Sequence, residues 1–157
     1  MVAAASLKLQ SKSKEQIELK LELKHLGTTL FMTKTQELEM IEGNRLFDAG
    51  KFKAAKKIYL DLVVKNSSSI RILTGLGFTC IKMGDFEEAS EVFYRAVKLS
   101  PKLQGVSKGL FYSLWDLGKK VEALEEIKRF QSISHSDDYQ KILKALTKQD
   151  ACLSKDV

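Results

Sequence analysis

A chain of 157 residues, 44% hydrophobic and 29% charged, is long enough for one domain with a real core and too apolar to stay unfolded. A single Pro supplies too few turn breakers for a β-sandwich or barrel, so the composition leans helical. The net charge of +6 is dispersed, with a mild excess in residues 1–34 (six Lys against three Glu), whereas nucleic-acid binders gather Lys and Arg on one face; a solvated helical surface and no nucleic-acid partner are expected.

The start, Met1 to Lys8, has no charged segment followed by a long apolar stretch, which predicts no signal peptide. No run approaches the ~20 apolar residues of a membrane span, so stable membrane insertion is not expected. Two cysteines, Cys80 and Cys152, staple no framework and fit a reducing, cytoplasmic setting. Residues 1–12 read as a disordered start and 13–35 as an N-terminal helical arm. In the arm Ile17, Leu19, Leu21 and Leu23 alternate with Glu18, Lys20, Glu22 and Lys24, a strand-like period of two. Glu, Leu and Lys are nonetheless strong helix formers and the chain offers no β partner, so a helix with more than one apolar stripe is expected. Such a surface wants a second partner, which makes Ile17, Leu19, Leu21 and Leu23 the expected self-association residues and a homodimer through the arm the expected outcome.

Beyond the arm the chain repeats with a period of 34. Gly50-Lys-Phe-Lys-Ala-Ala55, Gly84-Asp-Phe-Glu-Glu-Ala89 and Gly118-Lys-Lys-Val-Glu-Ala123 align without gaps, and Tyr59, Phe93 and Ile127 follow. Upstream, Gly43 and Gly77 are in register, with Phe111 at the third position. The first Gly of each segment suits a helix end, where φ > 0 is wanted. The Ala five residues on faces the preceding helix, and the large residue four further on fills the seam. Gly43 and Gly77 allow close helix approach. Helices are expected near 35–48, 51–65, 69–83, 86–99, 102–117 and 119–132, with Asn66 to Ser69 capping the third and Ser100 capping a helix that has Pro101 at its first position. Ser134 or Ser136, with Asp137 and Asp138 in the first turn, should start a last helix. Its stripe of Tyr139, Ile142, Leu143 and Leu146 would cover the open end of the array as a capping helix over 138–149, leaving 150–157 as a disordered tail.

These segments resemble tetratricopeptide repeats, set at 36–69, 70–103 and 104–137. The resemblance implies an all-α fold of three tandem helical hairpins in a right-handed superhelix, with a concave face lined by the first helix of each pair. The third repeat departs most, with Phe111 for a small Gly, Lys120 for an aromatic and Phe130 for a small Ala, as a terminal repeat does. Groove positions then fall on Asn44, Phe47, Phe78, Ile81, Tyr112 and Trp115, with Met40, Arg71, Thr74 and Lys108 nearby. The rings form a binding ladder, or else they pack in the core; the core seam is already supplied by Leu76, Phe86, Ala89, Phe93 and their equivalents.

The layout is also similar to class II chaperones of type III secretion, which guard translocator proteins. Phe47-Asp-Ala-Gly50-Lys-Phe52 leading to Ala55, and Leu73-Thr-Gly-Leu-Gly77, carry that likeness. It implies a cytoplasmic chaperone holding an extended client segment, a protein or peptide such as a translocator, with the arm contributing to dimers. Those chaperones are commonly acidic, whereas this chain is basic. An assembly scaffold or adaptor subunit of a secretion or pilus apparatus is the alternative. A clamp for a C-terminal carboxylate needs Lys, Arg and Asn at Met40, Asn44, Gly75, Gly105 and Gly109, where Asn44 alone fits. No enzyme, metal or cofactor is expected. His25 and His135 stand apart, CxxC and HExxH spacings are missing, Cys80 has no base, and Gly75-Leu-Gly77 lacks the later Gly of a nucleotide loop.

Overall fold

The fold is that of a computed structural model, described for residues 32–153 with side chains to Leu146. The expected start at 1–12 and all but the end of the arm, including Ile17, Leu19, Leu21 and Leu23, lie outside the described residues. The described chain is helical, with no strand: α1 (Lys34–Asp48), α2 (Phe52–Lys65), α3 (Ile70–Met83), α4 (Phe86–Leu99), α5 (Gln104–Asp116), α6 (Lys120–Ile133) and α7 (Asp137–Leu153). From α1 to α6 each helix packs mainly on its neighbours in sequence, which makes three consecutive helical hairpins. α1 opens with a capping box. The Thr33 hydroxyl accepts from the Gln36 N–H at 3.3 Å, and Gln36 Oε1 accepts from the Thr33 N–H at 3.0 Å.

Hairpin turns carry glycine where the backbone demands it. Gly84 ends α3 at φ 80°, and the Asp85 N–H then reaches back to the Cys80 carbonyl at 2.9 Å, closing the helix end. Gly50 and Gly118 have the same left-handed conformation at the equivalent turns. Between hairpins the chain behaves differently from expectation. Ser100 ends α4 instead of capping α5, and Pro101 is not the first helical residue. The Leu103 N–H bonds the Ser100 carbonyl at 3.2 Å, a turn in which Pro101 takes the second position that its fixed φ suits, and α5 begins only at Gln104. Ser69 precedes α3, but its side chain makes no capping bond. Ser136 does cap α7, where its Oγ accepts from the Tyr139 N–H at 3.4 Å, and α7 runs through Leu153 into the segment expected as tail.

The core follows the repeat. Ala55, Ala89 and Ala123 are wholly buried. Tyr59 lies against two glycines, since an added Cβ would stand 3.0 Å from its ring at Gly43 and 2.8 Å at Gly75. Phe93 lies likewise between Gly77, where a Cβ would come to 2.7 Å, and Gly109. Each ring therefore fills a slot that exists because two backbones lack side chains; burying a ring of that size contributes about 1.5–3 kcal/mol. In the third hairpin the sizes are exchanged. The bulky Phe111 stands at the Gly position and the smaller Ile127 at the aromatic one, and both pack in one buried cluster with Ala123, Phe130 and Tyr139. α7 closes this end with Tyr139, which is fully buried, and with Ile142 and Leu143. The Tyr139 hydroxyl meets Ser107 Oγ at 2.7 Å, Ser107 donates to Glu126 at 2.5 Å, and Arg129 grips the same carboxylate at 2.6 and 2.7 Å. Glu126 is buried but fully paired, the condition under which a buried charge is tolerated. Burial pushes the Cys80 thiol up to about 11, which makes it an inert core residue.

A candidate peptide-binding cleft

α1 and α3, the first helices of the first two hairpins, leave between them a cleft of about 620 Å³. Met40, Asn44 and Phe47 line it from α1, Ile70, Arg71, Thr74, Gly75 and Phe78 from α3, and Leu103 from the turn before α5; Tyr59 of α2 forms its floor. Gly75 keeps the cleft open to that floor, because any side chain there would collide with the Tyr59 ring.

The polar chemistry follows from how Tyr59 is held. Burial pushes its phenol up to about 12, so it stays protonated and donates to Asn44 Oδ1 at 2.7 Å. Asn44 thus has its acceptor used and its amide N–H groups left over. The Arg71 side chain is exposed and has no hydrogen-bond or ion-pair partner among the described residues. The Thr74 hydroxyl is buried and also lacks a partner there. Beside these groups Phe78 is 37% exposed and packs in a T-shaped pair with Phe93 at 5.1 Å between centroids, and Phe47 pairs with Phe52 in the same way at 5.5 Å.

Six of the expected groove residues, Met40, Asn44, Phe47, Arg71, Thr74 and Phe78, therefore come together on this cleft. Met40 is only 5% exposed and belongs mainly to the core. The other four are placed elsewhere. Ile81 is half-buried against the first core cluster. Lys108 is held by Asp138 of α7 at 2.5 Å. Tyr112 is 45% exposed, and Trp115 is half-buried against Phe111 with the Lys120 ammonium 5.4 Å from its ring centre. Reasoning from sequence missed Tyr59, Ile70, Gly75 and Leu103 as groove-lining residues. Tyr59 carries a signal, since it holds the aromatic position of the repeat, 34 residues before Phe93; Leu103 carries none, because its place depends on a turn read as helix.

A second cleft, about 430 Å³, opens on the α4 and α6 side over Tyr94, Leu110 and Leu114, rimmed by glutamates, and no expected groove residue lines it. Among the described residues no group of His, Cys, Asp or Glu could hold a metal ion, and no helix is long and apolar enough to cross a membrane.

Residues 70–103 match the tetratricopeptide repeat family. No curated protein matches the chain in sequence. Solved structures do match in fold. The type III secretion chaperone SycD of Yersinia enterocolitica, in complex with a peptide of the translocator YopD, has a TM-score of 0.65 at 19% identity over 79% of this chain and 97% of that one. The Sgt2 tetratricopeptide domain of Aspergillus fumigatus has a TM-score of 0.68 at 16% identity over 82% of this chain and 87% of that one. The first tetratricopeptide domain of Spaghetti (RPAP3), bound to an HSP90 peptide, has a TM-score of 0.67 at 16% identity over 76% and 96%. With the period of 34, the paired helices and the glycine-held rings already in place, residues 70–103 match a tetratricopeptide repeat and the described residues have an all-α fold of consecutive helical hairpins like those of that family.

Proposed function

We propose that this chain is a non-catalytic protein-binding module, a chaperone of the secretion type that holds an extended client segment along its first helices. The repeats are set at 36–69, 70–103 and 104–137, with α7 as the cap. The observation that carries the reading is the cleft itself: exposed Phe78 and half-buried Phe47 stand beside the Asn44 amide N–H groups, the Arg71 guanidinium and the Thr74 hydroxyl, which nothing else among the described residues uses. Apolar pockets with a few convergent polar groups are the usual form of a binding site. The likeness to SycD with its translocator peptide supports a secretion client, and the groove is proposed to continue past Ile81 toward Lys108, Tyr112 and Trp115. Residues 13–35, through Ile17, Leu19, Leu21 and Leu23, are proposed to mediate self-association. Leu38 and Ile41, 59% and 60% exposed on α1, offer an apolar surface next to that arm in sequence.

Co-expression with membrane-active candidate partners from the native host tests this. A chaperone keeps such a client soluble and leaves with it, and Phe78→Asp releases it. A partner that instead joins the chain in a stable larger complex, unaffected by Phe78→Asp, supports the scaffold or adaptor alternative. Light scattering on the chain lacking residues 1–30 tests the arm; equal mass and equal solubility with the full chain overturn that part.

A further inference from the structure

The cleft is uneven in its chemistry. Its lining is apolar or neutral with one charge, Arg71, and that guanidinium is unpaired among the described residues. Asn44 has spent its carbonyl oxygen on the Tyr59 hydroxyl, so what it still offers is its amide N–H pair. The Thr74 hydroxyl lacks any partner among the described residues. The positive end of the α3 dipole lies at Ile70 and Arg71, and the Ser69 side chain does not cap it. Apart from the Thr74 hydroxyl, which can donate or accept, every strong polar group left over is thus a donor or carries positive character, and no carboxylate lines the cleft. An extended backbone alone satisfies part of that, since its carbonyls suit Asn44. It leaves the guanidinium without an anion.

We infer that the occupant of this cleft is a peptide segment bearing a side-chain carboxylate, Asp or Glu, within a few residues of a large apolar anchor, with Arg71 reading the acid and Phe78 and Phe47 seating the anchor. The inference rests on the proposed groove reading and adds the charge of the client to it. It differs from capture of a chain end, because the positions such a clamp needs are Met40, Gly75, Gly105 and Gly109 beside Asn44, and Arg71 is none of them. Guanidinium and carboxylate pair through charge-assisted hydrogen bonds, so losing either partner is expected to weaken binding by about tenfold.

The test uses the full chain and an oriented library of C-terminally amidated 12-residue peptides, each with one fixed Leu and the other positions degenerate. Retained peptides are sequenced, and an individual retained peptide is then measured by fluorescence anisotropy beside its Asp→Asn or Glu→Gln analogue. Enrichment of Asp and Glu at a fixed offset from Leu, about tenfold weaker binding of the amide analogue, and a swing to Lys and Arg with Arg71→Glu support the inference. Arg71 is exposed and unpaired, so both variant and parent are expected to melt alike. Peptides that bind with no acidic enrichment, or with an enrichment that Arg71→Glu leaves unchanged, overturn the inference while the groove reading stands. Failure of every peptide to bind overturns the inference and the groove reading together.

Discussion

Gly105 and Gly109 lie on the same helix, α5, one turn apart, and Gly→Ala is expected to have opposite signs at the two. At Gly105 an added Cβ meets nothing within 4 Å, so the substitution brings only the better helix propensity of Ala, about 0.5–1 kcal/mol of stabilisation. At Gly109 the new methyl would overlap Cε1 and Cζ of Phe93, and even Cδ1 would stand 2.6 Å away. Phe93 cannot retreat, because its other side faces Gly77, where the backbone is also in tight approach, and the Phe78 ring packs against it at 73°. Overpacking of this kind costs about 1–3 kcal/mol, and a ring held on both sides belongs at the upper end. After the propensity gain the net loss is about 2 kcal/mol. For a domain of this size that lowers Tm by roughly 4–8 °C, while Gly105→Ala raises it by roughly 1–4 °C. Thermal melts followed by circular dichroism at the helical band decide. Phe93→Leu placed on Gly109→Ala should recover part of the loss, since it removes the atoms that collide. A Gly109→Ala chain as stable as the Gly105→Ala chain would refute the slot argument for both aromatic rings.

Two further outcomes are expected. Ala89 is wholly buried and Trp115 only half-buried, so Ala89→Leu is expected to cost about 1–3 kcal/mol and Trp115→Ala less than the about 3–5 kcal/mol of a fully buried aromatic; urea titration in which Trp115→Ala is the worse of the two assigns that ring to the core. Burial pushes the phenols of Tyr59 and Tyr139 up to about 12, so above their ordinary pKa of 10 the unfolded chain releases protons that the folded chain keeps, and stability falls as pH rises from about 10 to 12. The urea midpoint should drop across that window, with a shallower slope in Tyr139→Phe; a flat midpoint overturns the reading.

What the sequence by itself determined is whatever a short stretch of chain enforces. Glycine at 50, 84 and 118 can take a left-handed φ at little steric cost, alanine at 55, 89 and 123 is small enough for a helix crossing, and a period of 34 repeats both, so the all-α hairpin fold was legible before any coordinates. Local signals failed where two local preferences compete. Ser-Pro at 100–101 reads equally as a helix start or a turn, and the Ser100 to Leu103 hydrogen bond settles it as a turn. The groove was less legible, because helical spacing places a side chain on a face without saying what approaches that face. Lys108, expected near the groove, is taken by Asp138, thirty residues on, and Met40 shares a stripe with exposed Asn44 but is buried. In the sequence Phe111 at a glycine position reads as the departure of a terminal repeat, with nothing to tie its bulk to the smaller Ile127. Only the tertiary structure decided that the exchange of bulk is packing, because the volume of a slot is set by both helices that bound it and neither sequence position carries that sum alone.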